Sequence, residues 1–172
     1  MEVSSHSLAL DRVYGINFDV GIFTNLTRDH LDFHKTFENY YEAKLKLFKE
    51  SGISIVNVDD NYGKRIVDEI SGESVTYSVK RESDYKAFNE KCESEFSTYD
   101  INLKGKKETI EVGLPGEFNI YNSLGAIGAS LALKVSIESI KKGIRDVVVT
   151  GRCEKVGKEY KLPYTIIIDY AH

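Results

Sequence analysis

Three apolar runs each break off into polar residues: VGIFTNL over 20–26, ISIVNVDD over 53–60 and TIIIDYAH over 165–172. Continuous rather than alternating apolar character marks strands covered on both faces, as in a mostly parallel sheet. Parallel neighbours need crossovers, and helical patterns fill the gaps between the runs. Residues 36–50, TFENYYEAKLKLFKE, carry Thr36 as a cap and an apolar stripe through Phe37, Tyr40, Tyr41, Leu47 and Phe48. Further helices are predicted over 61–70, 136–146 and 117–133, the last, EFNIYNSLGAIGASLAL, rich in small residues that allow close packing. The rhythm predicts an α/β fold, a mostly parallel sheet flanked by helices. Ligands gather at the C-terminal ends of strands in such sheets, so Asn57, Asp59, Asp60, Asp169 and His172 are expected along one shared edge.

Residues 75–113 depart from this rhythm. Tyr77, Val79, Tyr85, Phe88, Phe96, Tyr99, Ile101, Leu103, Ile110 and Val112 largely alternate with polar residues, and LKGKKE supplies a turn. A small antiparallel sheet beside the main one is expected there.

At 172 residues, 41% of them hydrophobic, the chain has material for one ordinary core. The net charge of -4, with Lys and Arg scattered among acids, excludes a counterion-releasing nucleic-acid surface. No apolar span of about 18 residues or more points to a membrane. Cys92 and Cys153 lack metal or redox-motif spacing, which suits a reducing cytoplasm. The polar cluster MEVSSH at one end and TIIIDYAH at the other read as cut edges, so the chain is expected to be a piece of a longer protein.

The chemistry-bearing residues concentrate in TNLTRDHLDFH, residues 24–34, which crowds Asp29, His30, Asp32 and His34 behind the first apolar run. His30 and His34 have the spacing of a shared helical face, but the glutamate of HExxH is missing. A charged helix start, with Asp29 at the positive end of the dipole, explains the same residues. With Glu2 and Ser4 or Ser5 the loop offers the oxygen donors and occasional imidazole that magnesium tolerates.

Lys44 is the discordant residue of the 36–50 helix. At 100° per residue from Phe37, Tyr41 falls near about 40°, Lys44 about -20° and Phe48 about 20°, whereas Lys46 falls at about 180°. Lys44 therefore sits in the apolar stripe, either snorkelling from its edge or pointing its amine into the polar strand ends. In the second case partial burial lowers its pKa, and the neutral amine can take up carbon dioxide as a carbamate, an anionic oxygen ligand. In LPGEFNIYNSLGAIGA, Asn119 and Asn122 sit in the first helical turns at a cost in propensity, bonded either to a ligand or to a neighbouring loop. Arg152 in GRCEKV offers a phosphate contact or a surface salt bridge. No GxxxxGK[ST] phosphate loop occurs in the chain.

Taken in order, MEVSSHSLALDRV, FTNLTRDHLDFH, YYEAKLKLF, LPGEFNIYNSLGAIGA and GRCEKV followed by IIIDYAH resemble the central domain of the Mur ligases. The resemblance is strongest to members that add the third peptide residue to UDP-N-acetylmuramoyl-L-alanyl-D-glutamate. It covers nearly the whole chain, leaving the 75–113 insert without a motif of its own and residues 164–172 as the start of a hinge to a further domain. The resemblance implies ATP-dependent amide synthesis with magnesium, in which a carboxylate attacks the γ-phosphate and the acyl phosphate is captured by the amine of diaminopimelate or lysine. By position it implies Glu2, His30 and a carbamoylated Lys44 as magnesium ligands, with Lys44 and His30 in the catalytic frame. Ser4 and Arg12 match contacts to the UDP-muramoyl dipeptide, whereas Leu10 stands where relatives have a polar group. Asn122 and Arg152 match nucleotide contacts, and Asp169 a ribose contact. Without its phosphate loop the chain alone is expected to be inactive. A non-catalytic interaction module, or a metal-dependent hydrolase built on His30, Asp32 and His34, are the alternative expectations.

Overall fold

The computed structural model describes residues 1–152, 154–157, 160, 163, 164 and 166–170. Six strands form one sheet in sequential order: β1 (Val20–Phe23), β2 (Ile53–Asn57), β3 (Glu73–Ser78), β4 (Tyr85–Cys92), β5 (Ser97–Leu103) and β6 (Lys106–Val112). The pairs β1–β2, β2–β3 and β3–β4 are parallel, and β4–β5 and β5–β6 antiparallel.

Helices make two of the three crossovers between parallel strands, α3 (Phe37–Glu50), capped by Thr36, from β1 to β2 and α4 (Asn61–Glu69), capped by Asp60, from β2 to β3. Crossovers of one hand between successive neighbours put both helices on the same face. There Tyr41, Leu45 and Phe48 of α3 and Ile66 of α4 cover Phe23 and Val56. Side chains alternate along a strand, so Ile55, next to Val56, points to the opposite face, under Ile120, Leu124 and Ile127 of α5 (Glu117–Ala132). The small residues of α5 serve close approach, as expected: a Cβ on Gly128 would stand 2.7 Å from Ile55 Cγ2. Helix α6 (Ile137–Arg145) completes this layer through Ile140 and Ile144.

A buried hydroxyl pair joins β5 to α5, with Tyr99 Oη and Ser123 Oγ 2.8 Å apart. Ser123 Oγ also donates to the Ile120 carbonyl. Tyr99→Phe is therefore expected to lower stability by about 1 kcal/mol, measured as a shifted urea midpoint with unchanged slope.

Three expectations are corrected. The expected antiparallel subsheet is present as β4 to β6, but it does not include residues 75–78: these belong to β3, a parallel member of the main sheet, whose free edge β4 continues. The antiparallel pairs β4–β5 and β5–β6, the second turning through Lys104 and Gly105 at positive φ, have the local pairing that alternation suggested. VGIF is not covered on both faces; β1 is the sheet edge, and Ile22 is 41% exposed. The triple isoleucine is a strand, β8 (Ile166–Ile168), but it pairs antiparallel with β7 (Glu154–Val156) in a separate two-stranded sheet. An apolar run reports that a segment is extended, whereas its partner is set by backbone hydrogen bonds that any sequence can make. Cys153 and His172 lie outside the described residues. Among the described residues no helix is long and apolar enough to cross a membrane.

Candidate functional site

Polar side chains at the C-terminal end of β2 organise the loops around them. Asn57 Nδ2 donates to the Thr24 carbonyl at 2.7 Å, fixing the chain as it leaves β1. Asp60 divides its oxygens: Oδ1 accepts from Tyr62 N at 2.8 Å as the α4 cap, and Oδ2 accepts from Leu26 N at 2.9 Å. Asp59 turns the other way. Its Oδ2 accepts from Val79 N at 2.7 Å, Lys80 N at 2.9 Å and Tyr121 Oη at 2.8 Å. Burial opposes its ionisation, but these hydrogen bonds prevail and hold the carboxyl below its usual range. Consecutive carboxylates thus tie β2 to the β1 loop on one side and to α5, next to Asn122, on the other.

Beyond Leu26 the loop reaches His30, which caps the short helix α2 (Leu31–His34) in the left-handed region at φ 56°. His30 therefore lies outside the helix that ends at His34, and the two do not share a helical face. Asp29 Oδ1 accepts from His30 N at 2.8 Å, and its Oδ2 is 3.5 Å from His30 Nε2.

Lys44 is half-buried, with its ammonium 5.5 Å from the centroid of the Tyr40 ring. Burial lowers its pKa, and the carboxylate of Asp60 offsets this in part. Lys46 is exposed, as its opposite angle predicts, and reaches the Leu8 carbonyl at 3.3 Å. The Tyr40 ring also meets His30 edge-on at 5.9 Å and stacks on His34 at 5.2 Å. Tyr40 is the common neighbour of His30 and Lys44. The sequence offered it only as one more aromatic in the apolar stripe.

The opening segment packs against this group. Ser4 caps helix α1 (Ser5–Ala9), accepting from Ser7 N at 3.1 Å, and the His6 ring lies 4.9 Å from that of His30. Glu2 is exposed two positions before the cap, and Arg12 and Leu10 are exposed after the helix. His34 is buried with Nε2 2.8 Å from Ser5 Oγ. Burial, then the neighbouring His6 and His30, lower its pKa. Among the described residues no group of three or more His, Cys, Asp or Glu side chains stands close enough to hold a metal, so His30, Asp32 and His34 form no cage. Magnesium needs none: it takes one or two protein oxygens and fills its octahedron with water and phosphate.

Asn122, Arg152 and Asp169, far apart in sequence, line one cavity of about 340 Å³ together with Leu114, Phe118 and Val149. Asn119 is spent on structure, donating to the Pro115 carbonyl at 2.8 Å, while the exposed Asn122 has Nδ2 3.4 Å from Asn119 Oδ1. Arg152 bonds the Tyr170 carbonyl and lies over the Tyr170 ring. Beside this cavity an apolar groove of about 410 Å³ runs between α5 and α6 and shares Asn122.

A mostly parallel sheet between two helical layers, with polar groups massed at its C-terminal end, is an α/β domain of the class that binds its ligands at that end. Residues 1–130 match the family described as the Mur ligase middle domain. UDP-N-acetylmuramoyl-L-alanyl-D-glutamate--2,6-diaminopimelate ligase of Clostridium perfringens (strain 13 / Type A) is 59% identical over 177 residues, covering 100% of this chain and 36% of that protein. The enzyme of the same name from Clostridium tetani (strain Massachusetts / E88) is 54% identical over 173 residues with the same coverage. A solved structure of a ligase of that name superposes with a TM-score of 0.82 at 25% identity, covering 91% of this chain and 34% of the other. The pseudomurein peptide ligase type C of Methanothermus fervidus shares the fold, with a TM-score of 0.77 at 22% identity over 99% of this chain and 41% of its own. The chain belongs to the Mur ligase family. It spans about a third of the length of the curated relatives it matches.

Proposed function

We propose that this chain supplies the magnesium- and nucleotide-facing surface of a cytoplasmic ATP-dependent ligase of peptidoglycan synthesis. Its reaction joins the amine of diaminopimelate to the glutamyl carboxyl of UDP-N-acetylmuramoyl-L-alanyl-D-glutamate. The observation that carries the reading is Lys44, a half-buried lysine of lowered pKa sharing the ring of Tyr40 with His30.

In the proposed reaction a substrate carboxylate oxygen bonds to the γ-phosphorus of ATP as the bond to ADP breaks. The amine nitrogen then attacks the acyl carbon, phosphate departs and the nitrogen loses a proton. Such chemistry is positioning and charge neutralisation, and bound magnesium supplies the neutralisation for the transferring phosphoryl group. Glu2, His30 and Lys44 as its carbamate hold the ion in this reading. The carbamate forms when the neutral Lys44 nitrogen bonds the carbon of carbon dioxide and gives up a proton. Asn122 and Arg152 hold the nucleotide and Asp169 its ribose, while Ser4 and Arg12 hold the muramoyl peptide.

Isothermal titration of the chain with ADP in magnesium and bicarbonate tests the reading. Arg152→Ala is expected to weaken ADP binding about tenfold, the value of losing one charge-assisted phosphate contact. Since the 172 residues hold no phosphate loop, no phosphate release from ATP is expected of the chain alone. No ADP binding by the parent chain would favour a non-catalytic interaction module instead.

A further inference from the structure

The reading above uses Glu2, Ser4, His30 and Lys44, yet these come from three separate segments, and helix α1, which Glu2 and Ser4 lead into, has only five residues. A helix that short has no stability of its own, so its direction comes from tertiary ties. One of these is unlike the others. Ser5, immediately after Ser4, is 2% exposed and His34 is 5% exposed, with Ser5 Oγ 2.8 Å from His34 Nε2 across 29 residues of sequence.

The other ends of His34 are equally committed. Its backbone N–H donates to the His30 carbonyl at 3.0 Å. Its own carbonyl accepts from Asn39 Nδ2 at 2.9 Å at the start of α3. Its ring stacks on Tyr40 at 5.2 Å and 16°, and the same Tyr40 ring flanks the Lys44 ammonium. The buried imidazole thus joins the α1 segment to the Lys44 helix, while the backbone of the same residue holds the His30 turn.

We infer that His34 is a positioning residue for the cation site: through Ser5 it fixes where Glu2 and Ser4 stand relative to His30 and Lys44. The inference rests on the proposed magnesium reading and adds to it a residue that contacts neither ion nor substrate. Partners behind metal ligands of this kind set metal affinity by about 10- to 100-fold.

The test is titration of the full chain with Mn2+ in bicarbonate buffer, free ion followed by electron paramagnetic resonance, with melting curves recorded for every variant. His30→Ala is expected to abolish binding. Ser5→Ala and His34→Ala are each expected to weaken Mn2+ about tenfold or more, and the double variant no further than the worse single, since both remove one interaction. His34→Gln, whose side-chain amide can take the place of Nε2, is expected to recover most of the affinity. A merely structural role would lower melting temperatures and leave Mn2+ affinity, measured well below melting, untouched. Parental Mn2+ affinity in Ser5→Ala and His34→Ala alongside loss in His30→Ala overturns the inference alone. Where His34→Ala does not fold, Ser5→Ala decides by the same criterion. Parental affinity in His30→Ala, or no binding by the parent chain, overturns the magnesium reading and this inference with it.

Discussion

Alanine at Gly63 is expected to destabilise the chain by about 3 kcal/mol, at the upper end for overpacking. Gly63 is buried in α4, where a Cβ would stand 1.9 Å from the Asn57 carbonyl oxygen and 3.0 Å from its carbon. The obstacle is backbone at the C-terminal end of β2, so no rotamer change relieves it. The helix must move off the strand, carrying Asp60 away from Leu26 and loosening the turn toward His30. Urea unfolding of Gly63→Ala reads the loss directly. Gly143→Ala in α6, with nothing within 4 Å of its Cβ, is the control and is expected to gain about 0.5–1 kcal/mol. Equal stability of the two variants would mean that α4 does not press on β2.

Lys44→Met is expected to have the opposite pair of effects, loss of cation binding by about 100-fold or more with a gain in stability. Methionine fills similar space without an ammonium to desolvate. The pH dependence follows from the lowered pKa. In the unfolded chain Lys44 keeps its proton up to about 10.4, whereas in the folded chain burial, opposed in part by Asp60, releases it earlier. Between those two values the unfolded state binds more protons, so the stability of the parent rises with pH across that window. Below the folded value the burial penalty is present in full and constant. The stability advantage of Lys44→Met is therefore expected at neutral pH and should shrink as pH is raised toward 10, on the order of the unperturbed lysine value. Thermal melts of both proteins across that range measure it, and an advantage independent of pH would contradict a buried, titrating amine.

The helices were legible because their signals are local. Thr36 and the apolar stripe through Phe37, Tyr40, Tyr41, Leu47 and Phe48 set α3, and the same spacing singled out Lys44. Pairing was less legible, since hydrogen bonds between backbones carry no side-chain signature: β3 joined the main sheet, and β8 joined β7. Of the site, His30 and Lys44 could be named from residue type, and Asn122, Arg152 and Asp169 from motif order, and the last three do line one cavity. Tyr40 could not, because tyrosine in an apolar stripe reads as core. Asp60 was expected at the strand edge and Ser5 as a possible magnesium donor, but the ties they make, Asp60 to Tyr62 N and Leu26 N and Ser5 to His34, are contacts that spacing does not encode. Clearer in retrospect is the burden on His34: a histidine ending a four-residue helix, just ahead of a capped one, is poised to join both.

The central claim is that His30 and Lys44 face one cation site at the strand ends. The most direct measurement is a crystal structure of the chain grown with Mn2+ and bicarbonate, using the anomalous signal of the metal. A single anomalous peak between the His30 imidazole and a carbamate on Lys44 is the predicted result. Mn2+ bound elsewhere, with Lys44 an unmodified amine turned to solvent, would contradict it.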